Sequence, residues 1–593
     1  KERESKQQRR EARLRYLLNK LDNAESFVRN EFGNYLGCCE RVKERGNETV
    51  WLVPHCKQLE HWRIRCLSSL PDENGFTIQL ENEHKQFLGI EDGIVTTSLS
   101  TADEYKNDAN YQWIMEPNDE SHYEGRVTWF SFHIKNAKTG KFLSSTENCF
   151  PDCFIDLKDE PVDWSIGTSR VTLMVIGGGN RGFTYARYSG ENPDLARVVG
   201  LVDPKDYRKE VFRMHKRIGA GLNEEYMLSD WRELVLLGRV TDAVVITTPD
   251  RLHAEIAVNC SQLNYHLLLE KPMATTQQDC QDIVRSVKEN NCILAVCHVL
   301  RYTPYSRKIK ELIDSKVIGD IINIQHLEPV GFYHFAHSYV RGNWRNTKES
   351  SFSLLAKSCH DIDWIRWIMG KKCTDTSSFG SLRHFRNDQK PEGAGSRCLS
   401  CDVESTCPYS AKSIYLHLVE KMGHTGWPVD VIVDCEPTVE SVTKALEEGP
   451  YGRCVYECDN DVVDNQVVNL QFEDGSTASF SMVAFTEELC VRKTKIFGSK
   501  GEIEGDGEYQ IKHFDFLTQK TKIHSPDPIE SVRTSLTNHG YGDYFIIKDF
   551  VEAVANNDQA MILSGPDETL ESHLMVFAAE ASRVDKKVVS LDW

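Results

Sequence analysis

The sequence predicts a chain of several domains. An all-β unit comes first, a doubly wound parallel α/β domain second, and an α+β domain with an open, mainly antiparallel sheet last. Three observations predict this. A short motif ending in a tryptophan recurs through residues 24–166; an apolar strand runs straight into a glycine-rich turn at residues 171–182; and residues 461–505 alternate apolar and polar side chains. At 593 residues the chain is too long for one core, which points to three or four domains.

Residues 1–23 are locally basic, with Leu14, Leu17, Leu18 and Leu21 at helical spacing. They read as an amphipathic helix docked through its leucines with the basic face solvated; a partner helix or a contact with an acidic surface is the functional alternative. In residues 24–166 the triplets Asn34-Tyr35-Leu36, Gln86-Phe87-Leu88 and Lys141-Phe142-Leu143 are each followed by a tryptophan, at Trp62, Trp113 and Trp164, 51 residues apart both times. A period near fifty, with short aromatic and β-branched runs between polar turns, describes three copies of a small all-β unit that cannot bury its apolar face alone. Three such units closing on one another resemble a β-trefoil, and segments 33–37 and 139–145 resemble the strand openings of fascin-like trefoils. The resemblance implies either recognition of a glycan or protein partner, or a scaffolding and oligomerising role.

The second domain, residues 168–297, opens on the glycine turn. Gly177 would make the tight turn, Gly179 would let the backbone approach a pyrophosphate, and Gly182 would allow strand and helix to touch. The helix opening at Asn180 and Arg181 would aim its free N–H groups and positive dipole end at the phosphates. The next apolar run ends in Asp203, about 20 residues past the last glycine, where an acid meets a ribose hydroxyl in the Rossmann pattern. Further runs end in Thr248 and Pro249, and in Glu270, which completes the candidate cofactor set. Asp203 would repel a 2′-phosphate, while Lys205 and Arg208 could accept one; the reading leans to NAD and leaves NADP open.

Glu270-Lys271-Pro272-Met273 follows the fourth apolar strand, at the carboxyl end where open α/β sheets bind ligands. Together with the glycine turn, Arg301-Tyr302-Thr303-Pro304 and the stretch 357–363, it makes the chain from about residue 168 onward resemble the glucose-fructose oxidoreductase, inositol dehydrogenase and MocA (Gfo/Idh/MocA) family. The resemblance implies that Lys271 lies by the reacting hydroxyl and that His360 is the general acid or base. The chemistry is sensible by itself: removing hydride from a carbinol carbon leaves a proton that suits an imidazole, and a nearby cation stabilises the developing alkoxide. Lys357, three residues before His360, shares its helical face and joins the catalytic candidates. The family aspartate four residues before the histidine is Ala356 here, so Asp361 or Asp363 would have to orient His360.

The third domain, residues 298–593, contains a donor-rich stretch in which His334, His337, Arg341 and Trp344, with Asp361, are candidates for holding a polyhydroxylated or anionic substrate. Asp459, Asn460, Asp461 and Asp464 either line the same pocket or make a turn. Cys398, Cys401 and Cys407 give C-x2-C-x5-C inside a Gly- and Pro-rich insertion at 383–409, which a structural zinc could organise with His384 or Cys454 as fourth ligand; an iron–sulfur cluster or unligated thiols are the alternatives. The alternating runs 467–472, 477–482 and 492–498 predict antiparallel strands. The resemblance implies that this sheet covers the cofactor on one side and packs against another subunit on the other, giving a homo-oligomer. The apolar helix at 568–584 is expected to pack on the dinucleotide domain.

A net charge of −19 argues against nucleic acid as a general partner, and no apolar run reaches the length of a membrane span. Nineteen cysteines without secreted-scaffold spacing fit a reducing, cytoplasmic setting. The chain begins at Lys1 rather than methionine, which leaves a leader segment an open question. The first functional reading is an NAD(P)-dependent oxidoreductase acting on a sugar, polyol or related carbinol. The second is a glycoside hydrolase that uses tightly held NAD for a transient 3-keto sugar, and the third is a binding scaffold with a non-catalytic dinucleotide fold.

Overall fold

In the computed structural model residues 170–526 and 532–593 are described without a break, together with helical residues within 12–21 and the strand segments and some neighbouring residues of 25–168. The parallel sheet consists of β1 (Val171–Ile176), β2 (Ala196–Val202), β3 (Met227–Leu228), β4 (Ala243–Ile246), β5 (His266–Leu269) and β6 (Leu294–Val296), in the order β3-β2-β1-β4-β5-β6. Every pairing in it is parallel. Order reverses between β1 and β4, the switch point at which such sheets take a ligand. The crossovers are α1 (Asn180–Glu191), α2 (Asp206–Met214), α3 (Trp231–Leu237), α4 (His253–Gln262) and α5 (Gln277–Glu289). All residues of β1, β4, β5 and β6 are buried because helices cover both faces, which is why these strands read as unbroken apolar runs.

The second sheet belongs to a domain that runs α6 (Pro304–Asp314), β7 (Ile321–Pro329), α7 (Cys359–Met369), β8 (Cys373–Ser381), α8 (Val439–Glu448), β9 (Asn465–Phe472), β10 (Thr477–Val483), β11 (Lys493–Gly498), β12 (Gly501–Gly505), β13 (Ile511–Asp515), β14 (Lys520–His524), α9 (Gly542–Asn556), α10 (Pro566–Asp585) and β15 (Val589–Ser590). Its order is β14-β13-β12-β11-β7-β10-β9-β8-β15, antiparallel throughout except for β7 beside β10. The expected alternation is present. Val468, Leu470 and Phe472 of β9 are buried while Val467, Asn469 and Gln471 face outward, so one face carries the core and the other is open.

The helix α10 packs on the dinucleotide domain, as expected, and on the second sheet as well. Leu570 and Phe577 lie against the apolar cluster on one face of the parallel sheet and His573 Nε2 accepts from Met273 N at 2.9 Å, while Met575, Val576 and Ala579 enter the core of the second sheet. The helix α9 covers the other face of the parallel sheet: Ile546, Ile547, Phe550 and Val551 pack with Tyr185, Tyr188 and Val171.

At the amino end, Leu17 and Leu21 are buried with Trp62, Trp113 and Trp164 in one cluster. The twelve described strand segments from Glu25–Asn30 to Asp163–Thr168 pair antiparallel. The basic stretch also reaches the parallel sheet. Lys20 Nζ lies 2.7 Å from Asp242, Tyr16 OH donates to the same carboxylate at 2.7 Å, and Asn19 Nδ2 donates to Val240 O at 2.9 Å.

Candidate active site

The glycine turn explains its own composition. Gly177 sits at φ +99°, and a Cβ there would lie 2.6 Å from Thr247 O; a Cβ at Gly182 would lie 2.0 Å from Gly177 O. At Gly179 the nearest atoms to such a Cβ are those of the Arg208 guanidinium at 3.8 Å, so the protein itself has room for a side chain there. Gly179 caps α1 without a side-chain bond, and no acid stands in the first turn, which leaves first-turn N–H groups free for an anion. Thr248, just past β4, has a buried hydroxyl with no protein partner. An open glycine face, a free helix terminus and an orphaned hydroxyl together fit the pyrophosphate end of a dinucleotide.

Around this turn the charged groups are already paired. Asp203, at the end of β2, accepts from Gly178 N at 2.7 Å, Lys205 N at 2.8 Å and Arg208 Nη1 at 3.1 Å. Arg181 is turned away from the phosphate position. Its Nε donates to Glu270 at 2.7 Å and its Nη atoms to Asp543 at 2.8 Å, tying α1 to the end of β5 and to α9. Glu270 also accepts from Tyr185 OH at 2.9 Å, and the Arg181 and Lys271 charges keep its carboxyl below its ordinary range although burial alone would raise it. Pro249 opens the short turn Asp250–Leu252 beside Thr248.

Lys271 leaves the end of β5 and donates from Nζ to Ala356 O at 2.7 Å, immediately before Lys357 and the start of α7. His360, on the first turn of α7, is buried, and no protein hydrogen bond occupies its Nδ1. Burial and then the Lys271 cation hold the imidazole well below its ordinary pKa, with His298, Arg492 and His539 adding to the effect. A neutral imidazole beside a fixed ammonium is the pair that removes a hydroxyl proton and stabilises the alkoxide left behind. Behind it lies His298, which sequence reasoning missed. Its ring centroid is 5.7 Å from that of His360 and 5.4 Å from that of His573, and its Nδ1 is 3.7 Å from Asp363.

Below His360 is a buried charged cluster. Lys357 Nζ is 2.9 Å from Cys490 Sγ and 3.3 Å from Glu328; Arg492 bridges Glu328 at 2.6 Å and Asp361 at 2.9 Å. Burial disfavours the Lys357 cation, but Cys490 and Glu328 outweigh it and raise its pKa, so this lysine supplies charge and position rather than a proton. His334 joins the site, with Nδ1 3.5 Å from Cys490 Sγ. Nothing local in the sequence marks Glu328, Cys490 or Arg492, because they come from β7 and the loop before β11.

Four candidates stand elsewhere. Asp361 is buried against His326 and Arg492, facing the sheet. His337 meets Tyr415 OH at 2.8 Å and stacks on Tyr451, because the turn Ala336–Arg341 is wound as a π-helix that sends it into the insertion. Arg341 donates to Arg453 O and Tyr409 O, both at 2.8 Å, and Trp344 Nε1 donates to Asp250 at 3.0 Å. The zinc expectation is also corrected: among the described residues no three His, Cys, Asp or Glu side chains converge on a point that could hold a metal ion. Cys398 instead accepts from Arg341 at 3.4 Å and Cys401 from Gly395 N at 3.3 Å; Cys398 opens the 3-10 turn Cys398–Ser400, and Cys407 follows the separate turn Glu404–Thr406. Asp464 caps Arg383 and His384 through their N–H groups, and Asp459 pairs with Arg345 and Arg453.

The insertion after β8 reaches further than its cysteines. Trp427 packs edge-on to His334 with centroids 5.1 Å apart, Asp430 hydrogen-bonds Asn180, and Asp434 holds Lys205 at 2.6 Å. The segment 427–434 therefore spans from the substrate-side histidines to the glycine turn.

Comparison with known proteins agrees with this geometry. The Gfo/Idh/MocA model described as oxidoreductase family, NAD-binding Rossmann fold, matches residues 171–298, and its companion, the C-terminal alpha/beta domain, matches residues 310–591. The chain is 24% identical over 318 residues to a putative oxidoreductase, YteT, of Bacillus subtilis, covering 52% of this chain and 71% of that protein. It is 25% identical over 223 residues to the 2,7-anhydro-N-acetylneuraminate hydratase of Mediterraneibacter gnavus, covering 36% of this chain and 54% of the relative. A levoglucosan dehydrogenase solved with NADH and levoglucosan superposes on 72% of this chain and all of its own, with a TM-score of 0.51 at 17% identity, a likeness of fold.

Proposed function

The chain belongs to the Gfo/Idh/MocA oxidoreductase family, and from that premise we propose that it catalyses NAD(P)-dependent hydride transfer at a carbinol carbon of a sugar, polyol or related compound. The observation that carries this reading is the neutral, buried His360 beside Lys271 at the carboxyl end of β5. A bound nicotinamide supplies the two-electron hydride acceptor. His360 takes the hydroxyl proton, Lys271 stabilises the oxygen as negative charge develops, and Lys357 with Arg492 sets the local field. His334 and Trp427 offer the aromatic and donor surface that suits a polyhydroxylated substrate.

Lys205 and Arg208, the cations able to take a 2′-phosphate, are paired with Asp434 and Asp203, which supports NAD over NADP. The same span, 427–434, supports a retained cofactor and hence a second reading: a hydrolase or hydratase in which the hydride returns to the sugar after elimination and addition. Denaturing the purified protein and measuring nicotinamide dinucleotide per chain separates these readings. Near-stoichiometric cofactor directs the search to glycosides and anhydro sugars; empty protein that reduces NAD with a polyol or sugar is an ordinary dehydrogenase. Protein that binds neither NAD(H) nor NADP(H) overturns both.

Residues 24–166 fit a β-trefoil serving as a glycan- or protein-binding module. Trp113 Nε1 donates to Leu88 O at 3.0 Å and Trp164 Nε1 to Leu143 O at 2.8 Å, so two repeats use the same bond from tryptophan to the leucine of the preceding triplet. Outward-facing Ile322, Phe379 and Val467 on the open face of the second sheet support a homo-oligomer through that face. The cysteines from Cys260 onward are free thiols, which supports a reducing, cytoplasmic setting.

A further inference from the structure

The insertion contains a cavity that its fold does not explain. Its volume is about 80 Å³, several times the ~10–15 Å³ that one water needs. Cys398, Cys401, Cys407 and Cys454 all line it. The segment that carries the first three has little regular structure, only the 3-10 turns Asn387–Gln389, Cys398–Ser400 and Glu404–Thr406. The fourth thiol is brought alongside by backbone pairing: Cys454 N donates to Ser396 O at 2.8 Å, and Arg397 bridges Arg453.

A second observation is independent of the thiols. Arg341 also lines the cavity and is 1% exposed. Its guanidinium donates to two carbonyls and to Cys398 Sγ, its Nη1 has no partner, and no carboxylate is paired with it among the described residues. A fully buried guanidinium without a counter-anion is costly, and a metal group held by thiolates would bring the negative charge that pairs with it.

The arrangement also discriminates between metals. A single zinc needs its sulfurs within about 2.3 Å of one point, and the described thiols do not converge in that way. Four thiols placed around a volume match instead a group that they would hold at its corners. We propose that Cys398, Cys401, Cys407 and Cys454 ligate an iron–sulfur cluster seated in this cavity, with Arg341 as its buried counter-cation. The Gly395 N–H, 3.3 Å from Cys401 Sγ, supplies an N–H to sulfur hydrogen bond of the kind that stabilises such clusters. The cluster would fasten the insertion to the end of the Ala336–Arg341 turn, and so fix His334 and Trp427 over the active site. It is structural here and needs no redox step.

The test is elemental analysis of the full-length protein, purified without oxygen, for iron, acid-labile sulfide and zinc per chain, with the visible spectrum recorded before and after dithionite. The expected result is iron and sulfide in equal amounts, about two to four of each, with a broad absorption that dithionite bleaches. Cys407→Ser should lose both, whereas Cys435→Ser, at an exposed thiol outside the cavity lining, should keep them. One zinc per chain without iron overturns the proposal. So does protein that holds no iron after reconstitution with ferrous iron and sulfide. Both of these outcomes are read on the wild-type chain and depend on no variant folding.

Discussion

At the scale of single residues, the proposed chemistry turns on the protonation of His360. Burial and Lys271 depress its pKa, so the imidazole stays neutral at pH values where an exposed histidine is already charged. A base must be deprotonated to act, and the acid limb of kcat/KM should therefore fall below the ordinary histidine range near 6.5. Lys271→Met removes a cation, so the same limb should move upward while the rate falls; an unmoved limb in a pH–rate profile would show that another group titrates. His360→Ala should lower kcat by about 10²- to 10⁴-fold with little change in Tm. Lys271 and His360 were legible because each follows a local signal, a strand end and a helix start. The role of Lys357 was not, since its partners Glu328 and Cys490 lie on distant segments and burial decides which charges win.

At the scale of elements, the glycine turn makes separable demands. Gly182→Ala drives a Cβ into Gly177 O and should disrupt the β1–α1 contact, seen as a lower Tm with or without cofactor. Gly179→Ala has room in the protein and should leave Tm unchanged while weakening NAD binding in calorimetry, because its Cβ would occupy the pyrophosphate's approach. The insertion makes a third demand. Asp434→Ala releases Lys205 from a solvent-exposed pair, so stability should hold and the NAD-to-NADP affinity ratio should fall. Unchanged selectivity in that variant would place the discrimination on Asp203 alone. The α1 turn was readable because a tight turn admits so few residue types, whereas the path of 427–434 over it was not, since an insertion without periodicity gives no direction.

At the scale of the whole molecule, the basic amino-terminal stretch packs on the repeat through Leu17 and Leu21 and on the parallel-sheet domain through a buried ion pair between Lys20 and Asp242. Burial alone would raise the Asp242 carboxyl, but Lys20 and Arg239, with the Thr172 N–H, bring it down to about 2. Lys20→Ala removes the one cation in direct contact with that buried carboxylate among the described residues and should cost roughly 3–5 kcal/mol, measurable by denaturant titration. Buried histidines set the pH response. His266, His298 and His337 are each pushed down to about 3, first by desolvation. The unfolded chain then binds more protons than the folded one between about pH 6.5 and 3. Stability should decline as pH falls through that window, by about 1.4 kcal/mol per pH unit for each residue. A flat Tm from pH 6.5 to 4.5 would contradict this.

The sequence by itself determined the parallel sheet, the glycine turn and the alternation of the second sheet, and it pointed to Lys271 and His360 as candidates, because strand burial, tight turns and helix starts each constrain residue type over a few positions. Only the tertiary structure decided that Arg181 serves Glu270 and Asp543, that Asp361, His337 and Arg341 leave the substrate side, and that α9 as well as α10 packs on the first domain. Those outcomes depend on which distant segment supplies a counter-charge or an apolar face, and residue spacing along a chain carries no record of what will lie across from it.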